Sequence, residues 1–272
     1  MSETKAVFAG SIPENYQHYL VPLIFDEYAR DLADRVEVPA GGKVLETACG
    51  TGVLTRHLRT SLPITTAIIA TDLNAPMLEV AQAELNTLEG IEYQTADGMA
   101  LPFPDNSFDA VVCQFGVMFF PDKQLGYREV LRVLKPGGTF IFNVWDSLAH
   151  NGFSRSVHEK VVEMFPKDPP TFLSLPYEYH DISEIKAQLQ GVGFKDIHFS
   201  VMPRESSAPS AREVAMAYAT GTPLAAQLAE RGVEEIAMKE IQKAITDGYG
   251  DGAVAAPMQA ITIVANPSDE VQ

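Results

Sequence analysis

The chain has 272 residues, of which 46% are hydrophobic and 21% are charged, and this composition predicts a globular protein with a large core. Its formal net charge of −16 argues against partners with a negative surface, so we expect no binding to nucleic acid or to an anionic membrane. No apolar run approaches the about 20 residues of a spanning helix. The N-terminus shows no basic segment followed by an apolar one, and we therefore expect a cytoplasmic protein.

From residue 43 to residue 145 the sequence alternates short β-rich runs with helical stretches. This alternation is typical of a parallel sheet covered by helices on both faces. The predicted strands are "KVLETA", "TAIIATDL", "IEYQTAD", "FDAVVCQFG" and "TFIFNVW". Pro136-Gly137-Gly138 is predicted to end the helix before the fifth strand.

Beyond Trp145 the alternation weakens, with a proline-rich loop, a helix in "DISEIKAQLQGVGF" and a sixth strand in "KDIHFSVM". Two helical stretches then precede a last strand in "APMQAITIVANP". We predict an α/β fold with a doubly wound, mostly parallel, seven-stranded sheet. The predicted single domain, 1–272, divides into a helical lead-in (1–40), a cofactor-binding core (41–203), a helical lid insertion (204–252) and a last strand with a tail (253–272). The insertion is equally compatible with a homodimer surface.

Acidic residues follow three of the predicted strands. Ligands of open parallel sheets bind beyond the carboxyl ends of the strands, and Glu46, Asp72 and Asp97 stand at those places. Three carboxylates at one edge of a sheet favour a ligand that carries positive charge.

The loop "ETACGTG" after the first strand resembles a nucleotide-binding glycine loop, because Gly50 and Gly52 allow a ligand to approach the backbone closely. The dinucleotide fingerprint requires a third glycine three residues further on, where this chain has Thr55. Glu46 would also lie near a pyrophosphate and repel it. A nicotinamide dinucleotide is therefore disfavoured.

S-adenosylmethionine carries a positive ammonium and a positive sulfonium, so acids at the site would favour its binding. Asp72, 20 residues beyond Gly52, could accept both ribose hydroxyls through its two oxygens. Asp97 could accept a hydrogen bond from the adenine amino group, with backbone contacts from Gly98 and Met99. Three side chains are predicted to sandwich the base: Leu73, Met77 and Met99.

Four motifs occur in order: "VLETACGTG", "IIATDLNAPMLEVA", "YQTADGMALPFPDNSFDAVVCQFGVMFF" and "EVLRVLKPGGTFIF". Through them, residues 43 to about 146 resemble the class I S-adenosylmethionine-dependent methyltransferases of the small-molecule, ubiquinone/menaquinone-biosynthesis-like branch. Ala48 stands where that family often has a glycine. The resemblance implies a cofactor site formed by Glu46, Ala48, Gly50, Gly52, Asp72, Leu73, Met77, Asp97, Gly98, Met99, Gln114 and Phe115.

The same resemblance implies methyl transfer from S-adenosylmethionine to O, N or C of a small metabolite. In such an in-line displacement the protein mainly aligns the two reactants and excludes water. No general base is evident from the sequence, and the candidates are Tyr16, Tyr19 and His150. Aromatic residues such as Phe115 and Trp145 predict a hydrophobic or aromatic acceptor if they line the pocket.

Two alternatives stay open at this point, a non-catalytic protein that binds S-adenosylmethionine and a nicotinamide-dependent reductase. The six histidines and two cysteines are scattered, so we expect no metal site and no disulfide framework. Cys49 and Cys113 are predicted to be small buried residues at strand ends.

Overall fold

The computed structural model describes residue 8 and residues 10–267. Its single sheet has seven strands: β1 (Lys43–Glu46), β2 (Ala67–Asp72), β3 (Ile91–Thr95), β4 (Phe108–Gln114), β5 (Leu134–Trp145), β6 (Phe194–Ala208) and β7 (Val254–Pro267). The order across the sheet is β3-β2-β1-β4-β5-β7-β6. Strands β1 to β5 pair in parallel, and β7 runs antiparallel to both β5 and β6. This confirms the predicted doubly wound, mostly parallel α/β fold.

The helices that cover the sheet include both predicted and unpredicted segments. They are α1 (Ile12–Asn15), a π-helix (Tyr16–Phe25), α2 (Asp26–Asp34), α3 (Val53–Ser61), α4 (Ala75–Glu84), α5 (Lys123–Val133), α6 (Gly152–Met164), α7 (Ile182–Val192), α8 (Ala211–Thr220), α9 (Leu224–Ala229) and α10 (Glu234–Tyr249). Asp181 caps α7 by accepting the N–H groups of Ser183 and Glu184, as expected of an N-cap aspartate. None of the helices within the described residues has the length and hydropathy needed to cross a bilayer.

The lead-in forms an unbroken helical stretch from Ile12 to Asp34 whose middle part is a π-helix with Pro22 inside it. π-Helices are rare and are frequently found at functional sites. Leu20 and Ile24 are buried on this segment, which packs against α8. Part of the predicted lead-in, residues 1–7 and residue 9, lies outside the described residues.

The second half of the chain departs from the sequence prediction in its details. Helix α6 was not predicted, although Phe153, Val157 and Val161 recur every four residues and are all buried, which is the spacing of a helix face. Strand β6 continues to Ala208, so the predicted boundary at residue 203 falls within a strand. Its pairing with β7 as far as Val254 explains the extension.

The two cysteines are free and buried. Cys113 lies within β4 and Cys49 lies in the loop after β1. Among the described residues, no group of three or more His, Cys, Asp or Glu side chains is arranged to hold a metal ion.

Candidate functional site

A cavity of about 250 Å³ lies at the carboxyl ends of the parallel strands. It is bordered by the loops after β1, β2, β3 and β4, by the π-helix and by α8. All predicted cofactor residues except Glu46 and Gly52 line it: Ala48, Gly50, Asp72, Leu73, Met77, Asp97, Gly98, Met99, Gln114 and Phe115. The described lining includes no Lys, Arg or His, so its charged groups are acids.

The loop after β1 turns through left-handed backbone conformations at Ala48 (φ 52°), Gly50 (φ 57°) and Gly52 (φ 87°). Gly50 faces the cavity, and its N–H donates to Asp72 Oδ2 at 2.9 Å. Gly52 serves packing instead, because a Cβ there would lie 2.9 Å from Leu85 Cδ1. The loop thus presents backbone to the cavity at Gly50 and lets the adjacent helix approach at Gly52.

Glu46 is fully buried and does not border the cavity. Its Oε2 accepts a hydrogen bond of 2.6 Å from Thr55 Oγ1, while its Oε1 has no partner among the described residues. Burial raises the pKa of Glu46 to about 8. The hydrogen bond from Thr55 lowers this pKa, whereas the charge of Asp72 raises it. This shift favours the protonated form of Glu46 at neutral pH.

Asp72 ends β2 and faces the cavity. Its Oδ2 is bonded to the Gly50 N–H, and its Oδ1 accepts from the Asn74 N–H at 2.8 Å and from Asn74 Nδ2 at 3.2 Å. Burial raises the pKa of Asp72, while the bonds from Asn74 and Gly50 lower it. A carboxylate has about four acceptor positions, so these three bonds leave room for a ligand hydroxyl.

The loop after β3 forms the next part of the wall. Asp97 Oδ1 accepts the Met99 N–H at 2.9 Å, which fixes the turn through Gly98. The ring of Phe120 packs directly on Gly98, where a Cβ would lie 2.5 Å from Phe120 Cζ. Only glycine allows this contact between the loop and the ring.

Gln114 and Phe115 follow β4. Gln114 Nε2 donates to the backbone carbonyl of Phe25 at 2.9 Å, which links the strand end to the π-helix. Phe115 has a positive φ of 50°, and its N–H donates to Asn143 Oδ1 at 3.0 Å. Its ring stacks on Trp145 with centroids 3.9 Å apart.

The three candidate catalytic residues lie in different environments. Tyr16 lines the cavity and stacks on Phe25 at 5.1 Å; burial and the charge of Asp72 raise the pKa of its phenol. Tyr19 is outside the lining and packs edge-on against the His18 ring at 4.5 Å. His150 is also outside it, with Nδ1 3.2 Å from Ser147 Oγ. The structure thus brings only Tyr16 together with the predicted cofactor residues.

The sequence analysis missed the far wall of the cavity, which comes from segments without motifs. Tyr177 lies in a short 3-10 turn and Tyr218 lies in α8, and both line the cavity. Phe8 and Phe172 line it as well, with rings 6.3 Å apart. No local pattern marks these aromatic residues as different from ordinary core residues.

The family described as "Methyltransferase domain" matches residues 45–142. The ubiquinone/menaquinone biosynthesis C-methyltransferase UbiE of Cronobacter sakazakii is 31% identical over 175 residues, which cover 60% of this chain and 70% of that protein.

Two solved structures are similar in fold. The YcgJ protein of Bacillus subtilis has a TM-score of 0.59 at 19% identity, covering 89% of this chain and 99% of that chain. Phosphoethanolamine N-methyltransferase 2 of Haemonchus contortus, solved in complex with S-adenosyl-L-methionine, has a TM-score of 0.59 at 16% identity, covering 94% of this chain and 57% of that chain.

The chain therefore belongs to the class I S-adenosylmethionine-dependent methyltransferases. It is an enzyme that uses S-adenosylmethionine to methylate a small molecule. This confirms the methyltransferase prediction, and the reductase and the non-catalytic binding protein gain no support from the comparisons.

Proposed function

We propose that this enzyme binds S-adenosylmethionine in the cavity with the adenosine against Asp72 and Asp97. Both acids line the cavity, and Asp72 Oδ1 has its longest contact, 3.2 Å, with the side-chain amide of Asn74. A ribose hydroxyl can replace that amide without disturbing the two shorter backbone bonds. The methionine part then lies along the loop from Ala48 to Gly50, whose backbone faces the cavity.

The acceptor is proposed to be an uncharged, hydrophobic or aromatic small molecule. The observation that carries this proposal is the lining itself, which offers acids and aromatic rings and, among the described residues, no Lys, Arg or His. An acceptor with a carboxylate or phosphate would be buried in a cavity whose described lining offers no Lys, Arg or His to pair with it, which is costly. An apolar acceptor instead gains about 25 cal/mol for each Å² of surface that it buries against the aromatic walls.

The proposed catalytic contribution is alignment. The cofactor supplies the leaving group in methyl transfer, and oriented reactants in a dry cavity react far faster than free ones. The helical insertion contributes Tyr218 and Thr222 to the lining, and α8 packs against the π-helix. These contacts favour a cover over the site rather than a homodimer surface.

The adenosine assignment is tested by calorimetric titration with S-adenosylhomocysteine. Asp72→Ala removes a charged acceptor, so affinity should fall about 10- to 100-fold, as expected for about 1.5–3 kcal/mol. Asp109→Ala is the matched control. The Asp109 carboxylate also accepts a backbone N–H, from Lys43 at 2.8 Å, but Asp109 lies near the start of β4, whereas the cavity lies at the carboxyl ends of the strands. No binding to the wild-type protein, or equal affinities of the two variants, would contradict the proposal.

A further inference from the structure

The π-helix in the middle of the lead-in puts two distant aromatic residues on one face. Tyr16 and Phe25, nine residues apart in the chain, stack with ring centroids 5.1 Å apart, and both line the cavity. Nine residues make about two and a half turns of an α-helix, which would place the two rings on opposite faces. The hydrogen bonds of a π-helix reach five residues back instead of four, so each turn takes more residues and nine of them come close to two full turns.

The Tyr16–Phe25 pair extends from the glycine loop to the aromatic rings at the end of β5. The Tyr16 hydroxyl would lie 3.9 Å from a Cβ placed on Gly50. The Phe25 ring lies 5.5 Å from the Phe115 ring and 5.9 Å from the Trp145 ring, measured between centroids. An α-helical register would turn one of the two rings away from the cavity, so this part of its lining depends on the π-helix.

Pro22 lies inside the π-helix, and its side chain is exposed. Within an α-helix a proline ring clashes with the carbonyl four residues back, which here is the carbonyl of His18. The wider turn of a π-helix moves that carbonyl away from the ring. Just past the segment, the Asp26 N–H donates to the Val21 carbonyl, five residues back. Pro22 therefore disfavours the α-helical register at this position.

Two side chains from the sheet donate to carbonyls in the last turn of the π-helix. Ser206 Oγ, on β6, donates to the Leu23 carbonyl at 2.7 Å, and Gln114 Nε2 donates to the Phe25 carbonyl at 2.9 Å. These bonds fix the rotation of the last turn relative to the sheet. Gln114 lines the cavity, whereas Ser206 lies outside the lining, so Ser206 can be changed without altering the site itself.

We propose that Pro22 is a positioning residue for methyl transfer: it keeps the lead-in in the π-helical register, which places Tyr16 at the glycine loop and Phe25 on Trp145. This inference rests on the proposed function, since it takes the cavity as the shared site of cofactor and acceptor. Pro22 acts through the two rings and is not part of the described lining. In an α-helical register Phe25 turns away, and the cavity loses a side that excludes water from the reactants.

The test compares the wild type with Pro22→Ala and with the double variant Pro22→Ala, Ser206→Ala, which also lacks the bond to the Leu23 carbonyl. Ser206→Ala alone measures the effect of losing that bond. Pro39→Ala is the matched proline control, because Pro39 is exposed and lies in the loop before β1. The first measurement is acrylamide quenching of Trp145 in the ligand-free protein, since Trp145 is the single tryptophan and is 3% exposed.

Quenching of Trp145 should increase in the double variant, because Phe25 leaves the indole ring. Pro22→Ala should show part of this increase, whereas Ser206→Ala and Pro39→Ala should match the wild type. Affinity for S-adenosylhomocysteine should fall about fivefold in the double variant, the effect of losing one neutral hydrogen bond, when Tyr16 leaves the glycine loop. The urea midpoint of Pro22→Ala should equal or exceed that of the wild type, because proline is the least favourable residue inside a helix. A merely structural role would not increase quenching in a protein of undiminished stability.

Unchanged quenching in the double variant, or an equal increase in Ser206→Ala alone, overturns the inference. A urea midpoint of Pro22→Ala below that of the wild type also overturns it, because the proline would then stabilise the fold rather than disfavour another register. Quenching in the ligand-free protein decides the register independently of any ligand. Failure of the wild-type protein to bind S-adenosylhomocysteine would instead refute the proposed function.

Discussion

The buried acid Glu46 gives the sharpest prediction for stability. Its side chain is fully buried, with one hydrogen bond of 2.6 Å from Thr55 and one oxygen that lacks a partner among the described residues. The perturbation is Glu46→Gln, which keeps the size of the side chain and removes its ability to ionise. The variant mimics the neutral acid of the folded state.

The sign of the pH dependence follows from the raised pKa of Glu46, about 8 in the folded protein against 4.5 for the free side chain. Between these two values the unfolded chain releases the proton and the folded chain keeps it. The free energy of unfolding of the wild-type protein therefore loses a contribution from Glu46 as pH rises from 4.5 to about 8, and the loss then levels off. The full shift corresponds to about 5 kcal/mol, at about 1.4 kcal/mol for each pH unit.

Urea denaturation at pH 5, 6.5 and 8 gives the free energy of unfolding of Glu46→Gln and of the wild type. The difference between the two values at each pH measures the contribution of Glu46. Other carboxylates also titrate, and Asp26, Asp109 and Glu129 have lowered pKa values, but their contributions cancel in the difference. The free energy of unfolding of Glu46→Gln, relative to that of the wild type, should increase by several kcal/mol between pH 5 and pH 8. The control is Glu89→Gln, which removes one carboxylate at an exposed position. A constant difference for Glu46→Gln would mean that Glu46 is ionised in the folded protein, and the reasoning would be wrong.

Three further substitutions test the glycine loop and the strand ends. Gly52→Ala should lower the free energy of unfolding by about 2–4 kcal/mol, because its Cβ would lie 2.9 Å from a buried leucine. The control is Gly137→Ala, which has a similar φ of 77° and no atom within 4 Å of the added Cβ. It should lower the free energy of unfolding by only about 1–2 kcal/mol in the same urea titration. Gly98→Ala should weaken S-adenosylhomocysteine binding in calorimetry by forcing the Phe120 ring aside, and Phe120→Leu in the same chain should restore part of the affinity. Asn143→Ala should cost about 0.5–1.5 kcal/mol, because it removes the shorter of two hydrogen bonds from the Phe115 N–H and leaves the one to the Asn143 carbonyl at 3.3 Å. An unchanged urea midpoint would contradict that role.

The grouping of residues at the strand ends could be predicted from sequence because its geometry is local. Each strand of a parallel sheet ends at the same edge, so Asp72 and Asp97 are brought together by the strand pattern alone. The left-handed turn at Gly50 is equally a property of a few consecutive residues. These positions all line the cavity, although their contacts with the cofactor stay a prediction.

Glu46 shows where such reasoning ends. The order of residues places it at a strand end but does not tell which way its side chain points, because neighbouring side chains of a strand alternate between faces. Thr55 was interpreted only as a missing glycine, whereas in the structure it is the hydrogen-bond partner of Glu46. Thr55, whose presence disfavours a dinucleotide, is thus also the residue that binds the Glu46 carboxyl.

The far wall of the cavity could not be predicted because its residues are distant in sequence and each resembles an ordinary core residue. Tyr177 lies in a short 3-10 turn and Tyr218 lies in the insertion, and only tertiary packing brings these two segments to one cavity. The family match, residues 45–142, ends before Tyr177 and Tyr218, so the motifs carry no information about the far wall. We therefore expect the aromatic residues near Tyr177 and Tyr218 to select the acceptor, and substitutions there should alter acceptor preference while leaving cofactor affinity unchanged.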